Sequence, residues 1–370
     1  MIELKTKLRK KCKKTINLIA VGLIYLFHVL HIVRLTDDFD RSKICNRTLV
    51  FIDEGKRRKI NIRNIGILGC QTRFFIICHK GKKIIFDRLP LGESYYKVSL
   101  RTVDDKFKVK KILKKNNIST PRGCVFKRLL QACVYAKKIG YPVVIKPVGG
   151  SLSVNVFIDL KNEFDLKRAI SQLKISENNF LLEEFIEGKN YRAIVVDNKF
   201  IGCVMRYPAH VVGDGKKSIK KLIRDKNKHP LRGDGLRQDT TLHKIQIDNR
   251  LKKFIALQDY GLDTVLEKNK KIFLTDKINA SSGVETYDVT QKVHPKTKIL
   301  FERISYIFDS KLLGIDYITK NISKAHDQTV SSVIEINPVP YIDLHHYPMK
   351  GRSINVASCI WQMVINENKI

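Results

Sequence analysis

Alternation of apolar and polar residues predicts a strand over residues 333–337, which read Val-Ile-Glu-Ile-Asn. A period of two places Val333, Glu335 and Asn337 on one face and the two isoleucines on the other. A neighbouring apolar segment carries Asp316. Carboxylate and amide oxygens are hard ligands that suit Mg²⁺ while leaving sites for substrate phosphates. The pattern therefore predicts a magnesium site, and an edge strand with solvated polar side chains is the alternative.

Helical and extended periods alternate over the middle of the chain. They predict helices over 104–116, 129–139 and 163–173 and strands over 124–126, 142–145 and 154–158. Lys146 follows the second of these strands and precedes a turn at 149–151. Its ammonium group and the backbone N–H groups of the turn would suit a phosphate. A strand-end lysine above an ordinary turn is the alternative.

Short extended segments between residues 41 and 100 are separated by two turn sequences, Asp53-Glu54-Gly55 and His79-Lys80-Gly81. Glycine next to charged residues favours tight turns between such segments. This part of the chain is predicted to form a small α/β region, and it offers no candidate chemistry.

An apolar run over residues 16–33 follows a basic stretch over residues 1–14. A helix here would be apolar on all sides, so it would be buried in protein or in lipid. The run is at the short end of the length that spans a bilayer. Three interpretations follow: a packed or membrane-surface helix, a membrane anchor, and a signal peptide. The signal peptide is disfavoured because no small-residue cleavage site precedes Arg34.

The net charge of +34 over 370 residues favours anionic partners. The lysines are scattered, and no basic stretch is interleaved with aromatic residues that would stack on bases, so a nucleic-acid partner is not expected. The eight cysteines form no CxxC or Cys/His ligand pattern, which indicates reduced thiols in a cytoplasmic protein. A chain of this length is expected to fold into two or three lobes.

Four motifs occur in the order and approximate spacing of the ATP-grasp superfamily. They are Asp105-Lys106, the segment 140–147, the segment 182–188 and Glu335-Ile336-Asn337. Further segments, at 206–215, 279–283, 288–290 and 293–295, are similar to the ATP-grasp domain of cyanophycin synthetases and of glutathione-synthesising fusion enzymes. The resemblance covers roughly residues 100–360.

The resemblance implies an α+β ATP-grasp fold, α/β in the wider sense, in which two α+β lobes clamp ATP. Residues 101–205 would form the amino-terminal lobe with its flap loop, and residues 206–370 the carboxyl-terminal lobe with the metal site. A basic and hydrophobic segment over 1–40 and the small α/β region over 41–100 would precede them.

The activity that the resemblance implies is ATP-dependent carboxylate–amine ligation. A carboxylate attacks the γ-phosphate of ATP, and an amine then displaces phosphate from the resulting acyl phosphate. The cofactors would be ATP and Mg²⁺, with two ions expected and Mn²⁺ as an alternative. Small carboxylate and amine substrates, a homodimer and a cytoplasmic location are also implied, with membrane contact through residues 16–33 left open.

The same resemblance assigns roles to individual residues. It assigns ATP contacts to Lys106, Lys146, Gly150, Ser151, Glu183, Glu184 and Asn190, catalytic contacts to Lys146 and Arg206, and metal ligation to Asp316, Glu335 and Asn337. Within this set the lysines would contact phosphates, Glu183 would lie at the interlobe hinge near the adenine, and Asn190 would hold the ribose. A guanidinium at Arg206 would stabilise charge on the phosphates or on the acyl phosphate.

Departures from the family pattern concentrate in the flap, where Ser153 and Asn155 replace two usual glycines. Glycine lets the backbone approach phosphate closely, and serine tolerates positive φ poorly. Two rivals to a small-molecule ligase follow. One is a degenerate protein that binds nucleotide without turnover, and the other is a ligase that modifies a macromolecular or envelope substrate. The motifs specify neither substrate.

Overall fold

The computed structural model describes residues 20–90, 105–148, 156–173, 179–234, 240–276, 278 and 282–368. The flap residues Gly150, Ser151, Ser153 and Asn155 lie outside these ranges. The cysteines within the ranges are free thiols, as the sequence predicts.

Helices and strands alternate along the described part of the chain. The helices are α1 (20–29), α2 (Asn46–Arg57), α3 (Lys106–Lys115), α4 (Leu129–Ile139), α5 (Glu163–Gln172), α6 (Ile219–Asn227), α7 (Asn249–Ala256), α8 (Pro295–Ile307), α9 (Asp343–His346) and α10 (Val356–Asn368), with 3₁₀ turns at Arg41–Lys43 and Thr290–Lys292. The strands are β1 (Val33–Thr36), β2 (Asn61–Ile67), β3 (Phe74–His79), β4 (Lys82–Asp87), β5 (Gly123–Phe126), β6 (Val143–Pro147), β7 (Phe157–Leu160), β8 (Phe180–Glu184), β9 (Lys189–Val196), β10 (Lys199–Tyr207), β11 (His210–Val212), β12 (Arg232–Gly233), β13 (Leu242–His243), β14 (Lys271–Phe273), β15 (Glu285–Asp288), β16 (Leu312–Thr319) and β17 (Ser331–Asn337). The helices predicted over 104–116, 129–139 and 163–173 are confirmed.

Three antiparallel sheets form the framework of the described residues. The amino-terminal sheet has the strand order β1-β2-β3-β4, the small sheet β5-β8-β6-β7 and the large sheet β15-β10-β9-β16-β17. Two-stranded sheets, β11-β14 and β12-β13, complete the set. Antiparallel sheets that carry helices on their faces are typical of the α+β class. The predicted fold class is therefore confirmed.

Helix α2 joins the amino-terminal region to the last described helix. Trp361 of α10 stacks on Phe51 of α2, with ring centroids 4.3 Å apart. The indole Nε1 also donates a hydrogen bond to the Phe51 carbonyl oxygen at 2.9 Å. Their apolar cluster includes Ile194 and Leu312 of the large sheet. The amino-terminal region and the large sheet thus share one core.

Of the two turns predicted before residue 100, one is wrong and one is confirmed. Asp53-Glu54-Gly55 lies within α2. Gly55 is helical because Trp361 packs against its backbone, where a Cβ would lie 2.5 Å from the ring. His79-Lys80-Gly81 connects β3 and β4, with positive φ at its last two residues. Tertiary packing requires a residue without a side chain at position 55, and the glycine that suggested a turn therefore lies in a helix.

Helix α1 packs on the amino-terminal sheet through one side. Val21, Ile24 and Tyr25 join the apolar cluster of Val33 and Ile76. Among the residues that the structure describes, no helix is long and apolar enough to cross a membrane. Part of the predicted apolar run is therefore a helix packed against protein.

The large sheet is covered differently on its two faces. On one face α3 and α8 contribute to an apolar cluster that contains Leu113, Phe301 and Ile315. On the other face α2 and α10 cover the end near Ile194. Because β9 and β10 belong to this sheet, the lobe boundary predicted at residue 205 falls inside β10.

Between β10 and β15 the chain forms a unit with an apolar cluster of its own, which includes Ala209, Ile219, Leu251 and Leu274. The unit contains α6, α7 and both two-stranded sheets. The chain then returns to the edge of the large sheet at β15. The strands that carry the predicted metal ligands, β16 and β17, therefore belong to the same sheet as β9 and β10, although a long connection separates them in the sequence.

Replacing Gly55 by Ala should destabilise the protein, because the new Cβ would lie 2.5 Å from Trp361 and 2.6 Å from Ile62. Overpacking costs about 1–3 kcal/mol, against about 0.5–1 kcal/mol gained from better helix propensity. Gly22→Ala in α1 is the matched control, since nothing lies within 4 Å of its Cβ. Urea unfolding should show a lower midpoint for Gly55→Ala only. A Gly55→Ala variant as stable as the parent would contradict the packing of α2 against α10.

Candidate active site

One face of the large sheet carries a row of charged and amide side chains. Asp316 of β16 pairs directly with Arg192 of β9 on one side and with Glu335 of β17 on the other. Arg206 of β10 pairs with Asn190 of β9. Directly opposed residues of antiparallel strands share a face, with Cβ atoms about 4.5–5.5 Å apart, and so do residues two apart on one strand. The sheet register therefore brings these five side chains together.

Asp316 is held between two arginines. Arg192 Nε lies 2.6 Å and Arg206 Nη2 2.9 Å from Asp316 Oδ1, and Arg192 Nη2 donates to Oδ2 at 3.1 Å. Gly314 makes room for this arrangement, since a Cβ there would lie 2.7 Å from Arg192 Nη1. Buried charges are tolerated only when they are paired, so the three groups depend on one another. Sequence reasoning missed Arg192, although its place two residues after Asn190 on a strand was a usable signal.

Arg206 is oriented by two partners. Its Nε donates a hydrogen bond to the Asn190 side-chain oxygen at 2.8 Å, and its Nη2 contacts Asp316. Burial lowers the pKa of Arg206 and Asp316 opposes this shift, but a guanidinium starts from so high a pKa that it stays charged. In the described structure the amide of Asn190, assigned to the ribose by resemblance, therefore orients Arg206.

Glu335 and Asn337 follow the alternation predicted for their strand, and Val333 does not. The register shifts at a bulge between Asp316 and Tyr317, so that Val333 pairs with Tyr317 and lies in the apolar core. The prediction that Val333 shares a face with Glu335 is wrong, because a bulge adds one residue to one strand and reverses the alternation.

The chemistry of Glu335 and Asn337 fits a divalent cation. Glu335 is half-buried and makes no hydrogen bond or ion pair within the described ranges. Asn337 Nδ2 is buried without a hydrogen-bond partner among the described residues, and the atom of this amide that could ligate a metal is Oδ1. Asp316 fits less simply, because both of its oxygens already contact arginines. Over the ranges that the structure describes, no cluster of three His, Cys, Asp or Glu side chains would hold a metal by itself. A metal here would need the amide and the phosphates of a ligand as well.

A second charged group lies in the small sheet. Glu183 of β8 is fully buried, with Lys146 Nζ 2.6 Å from Oε1 and Lys110 Nζ 2.7 Å from Oε2. Burial opposes ionisation, but the Lys146 and Lys110 ammonium groups outweigh it and hold the pKa of Glu183 below its ordinary value. Sequence reasoning missed Lys110, which lies four residues after Lys106 and thus on the same face of α3.

Lys106 interacts electrostatically with both charged groups. Burial lowers the pKa of Lys106 and Glu335 of the large sheet opposes this shift, while Lys146 and Glu183 of the small sheet act on the same ammonium group. Asp105 fixes the start of α3 by accepting hydrogen bonds from two backbone N–H groups, each at 3.0 Å. Interactions between charges weaken with distance. The predicted phosphate contacts Lys106 and Lys146 and the predicted metal ligand Glu335 therefore line the same space.

Glu184 lies apart from this group, on the other side of β8. Its carboxylate accepts hydrogen bonds from Arg122 Nε at 2.6 Å and from the Arg122 backbone N–H at 2.8 Å. Successive residues of a strand face opposite sides, so Glu183 and Glu184 do not share a site. The predicted contacts Gly150 and Ser151 lie outside the described residues.

A buried polar cluster follows β17 and was not indicated by any motif. Burial raises the pKa of Asp343 to about 6, while the Arg47 guanidinium opposes the shift. Burial also lowers the pKa of His345 to about 3. Arg47 of α2 donates a hydrogen bond to the Val339 carbonyl oxygen at 2.6 Å and lies 4.3 Å from the centre of the Tyr341 ring. The amino-terminal region therefore supports the loop that follows the predicted metal ligands.

Known proteins resemble this chain in sequence. The profile of the RimK-like ATP-grasp domain matches residues 103–304. The chain is 31% identical over 271 residues to cyanophycin synthetase of Geminocystis herdmanii, across 71% of this chain and 30% of that protein. It is 32% identical over 259 residues to the glutathione biosynthesis bifunctional protein GshAB of Desulfotalea psychrophila, across 69% of this chain and 33% of that protein. The chain thus spans about a third of the length of these curated relatives.

A solved structure resembles it as well. A bifunctional glutathione synthetase from Pasteurella multocida superposes with a TM-score of 0.67 over 88% of this chain and 45% of that chain, at 24% sequence identity. At this identity the likeness concerns the fold. Residues 103–370 make up less than 88% of this chain, so the superposition also includes part of the region before residue 103. That part therefore shares the fold.

Replacing Glu183 by Gln should destabilise the protein by about 3–5 kcal/mol, because two buried ammonium groups lose their counter-charge. Since the pKa of Glu183 is held below its ordinary value, the stabilisation is present at neutral pH and is lost as the pH falls through the folded-state pKa. Glu184→Gln is the matched control, because the partner of Glu184 is the exposed Arg122, and it should change stability far less. Equal unfolding midpoints for the two variants at neutral pH would refute the buried ion pairs.

Proposed function

This chain belongs to the RimK-like ATP-grasp family, and on that premise we propose that it is an ADP-forming ligase that joins a carboxylate to an amine. Two relatives are, by their names, a cyanophycin synthetase and a protein of glutathione biosynthesis. The chain spans about a third of the length of these relatives. Its substrates are therefore proposed here and are not taken over from the relatives. We take them to be amino acids or short peptides.

The observation that carries the proposal is the Glu335 carboxylate, which makes no direct ion pair within the described ranges but interacts with cations of two elements, α3 and β10. Glu335 has no partner within the described ranges, yet its charge acts on Lys106 and on Arg206. A half-buried carboxylate that no cation contacts directly is destabilising unless a bound cation contacts it. The carboxylate can ligate Mg²⁺, and the cations can bind the phosphates of ATP. The site thus offers both kinds of group that Mg²⁺ and ATP need.

The proposed reaction has two steps. An oxygen of the substrate carboxylate attacks the γ-phosphorus, and the bond from phosphorus to the ADP oxygen breaks. The amine nitrogen then attacks the acyl carbon, the C–O bond to phosphate breaks, and the nitrogen gives up a proton. Lys106 and Lys146 would hold the phosphates, and Arg206 would stabilise the charge that develops on the transferred group. Bound Mg²⁺ would neutralise phosphate charge, with Glu335 and Asn337 as ligands.

The remaining assignments extend the sequence resemblance. ATP is the proposed nucleotide, with two Mg²⁺ ions and with Mn²⁺ as a substitute metal. A homodimer in the cytoplasm is the proposed assembly. A Mg²⁺ titration of ADP binding tests the ion count, and sedimentation of the purified chain tests the assembly.

A second candidate function is nucleotide binding without turnover. One observation favours it: the oxygens of Asp316 contact both Arg192 and Arg206. Asp316 would have to give up an arginine contact before it could ligate a metal. The Glu335 carboxylate could ligate the Mg²⁺ of bound ATP with or without turnover, so the release of phosphate separates the two candidates.

Release of phosphate from ATP and Mg²⁺, measured against pools of amino acids and dipeptides, tests the proposal. Release should depend on a particular pool. Glu335→Gln should reduce it by about 100-fold or more, because the metal loses a charged ligand. Asp327→Asn is the matched control on the same hairpin, since Asp327 is exposed and contacts exposed Lys296 at 3.4 Å; it should stay within about twofold.

The outcomes separate the candidates. Pool-dependent release that is lost only in Glu335→Gln would support the ligase. Binding of ADP with no release in any pool would favour the second candidate. Equal release by both variants would remove Glu335 from the metal site.

A further inference from the structure

Helix α1 carries two apolar stripes, and only one of them is packed on the amino-terminal sheet. The second stripe has the helical spacing i, i+3, i+4, i+7 and consists of Leu23, Leu26, Phe27 and Leu30. These side chains are exposed to solvent, with Leu26 at 54% and Leu30 at 57%. The helix therefore presents a continuous apolar side to its surroundings.

The turn between β2 and β3 extends this apolar surface. The Leu68 backbone N–H donates to the Ile32 carbonyl oxygen at 3.0 Å, which fixes the turn beside the end of α1. Leu68 is 77% exposed and Val29 74% exposed. Large apolar side chains that are exposed singly are ordinary, but a contiguous group marks an interaction surface.

The sequence that surrounds α1 is strongly basic. Residues 1–14, which precede α1 in the sequence, contain seven Lys or Arg residues and a single Glu. In the described part, Arg34 is exposed directly after Val33. Asp37 and Asp38 follow at the far end of β1 and offset only a small part of this charge.

We propose that the exposed stripe of α1, together with the β2–β3 turn, docks on membranes that contain anionic lipids. A helix with one apolar side and a basic surrounding lies in the plane of the interface, with its apolar side at the boundary between headgroups and acyl chains. Each basic residue near an anionic surface strengthens the attachment. The stripe faces outward because the opposite side of α1 is committed to the sheet.

A second copy of this chain is a weaker occupant for the same surface. It would add a second chain with the same strongly positive charge, and like charges oppose association. A lipid surface supplies both the apolar medium and the negative charge. The proposal is independent of the ligase, because none of the site residues belongs to α1 or to the β2–β3 turn.

Co-sedimentation of the full chain with vesicles tests the proposal. Vesicles of phosphatidylcholine with phosphatidylserine should bind the chain, and vesicles of phosphatidylcholine alone should bind it much less. The double variant Leu26→Asp, Leu30→Asp should lose binding by roughly tenfold or more per leucine. Leu130→Asp on α4, where the leucine is 76% exposed, is the matched control and should bind like the parent.

The vesicle experiment distinguishes a membrane from a second copy of the chain as the occupant of the stripe. Binding to anionic vesicles that high salt weakens and that the double variant alone loses would establish the surface. No binding by the parent chain, or equal binding by the double variant, would overturn it. A parent dimer that the double variant converts to a monomer, with vesicles left unbound, would assign the stripe to a second copy. Equal unfolding midpoints of the variants show that none of these outcomes is a folding defect.

Discussion

The ion pairs of Asp316 with Arg192 and Arg206 are the interaction on which the candidate site depends. Three strands of the large sheet contribute one group each, and the register alone places them on one face. Because Asp316 makes the direct ion pairs with both guanidinium groups, its neighbour Glu335 has no ion pair of its own within the described ranges and interacts with Lys106 and Arg206 only at longer range. The same contacts that stabilise the sheet thereby leave one carboxylate available for a metal. Substitution of either arginine would act on stability and on the site together.

A comparable constraint acts in the small sheet, where Glu183 is buried between Lys110 and Lys146. The carboxylate holds Lys146 in one place, and the two remaining N–H donors of Lys146 can bind a phosphate, whereas Lys110 also donates to the Pro121 carbonyl oxygen. Lys110 of helix α3 is paired with Glu183 of the small sheet, and Lys106 of the same helix interacts with Glu335 of the large sheet as well as with Glu183. The charged groups of the two sheets thus share one helix, and a change in the packing of α3 would affect both groups.

Much of this arrangement could be predicted from the sequence, because the relevant signals are local. The period of two at Glu335 and Asn337 and the helical periods after residue 104 depend on neighbouring residues only, and both are confirmed. What could not be predicted depends on contacts between distant segments. Val333 is displaced by a bulge, Gly55 is helical because of Trp361, and Arg192 matters only once its strand lies beside β16. None of these effects leaves a pattern within a short window of sequence.

The central claim is that a substrate carboxylate, and not water, receives the γ-phosphoryl group of ATP. The most direct measurement supplies amino acids and dipeptides labelled with ¹⁸O in their carboxylates, together with ATP and Mg²⁺, and analyses the released phosphate by mass spectrometry. Acyl-phosphate formation transfers one carboxylate oxygen to each phosphate, so singly labelled phosphate is the predicted result. Unlabelled phosphate would mean hydrolysis by water, and the account of the site as a ligase would then be contradicted.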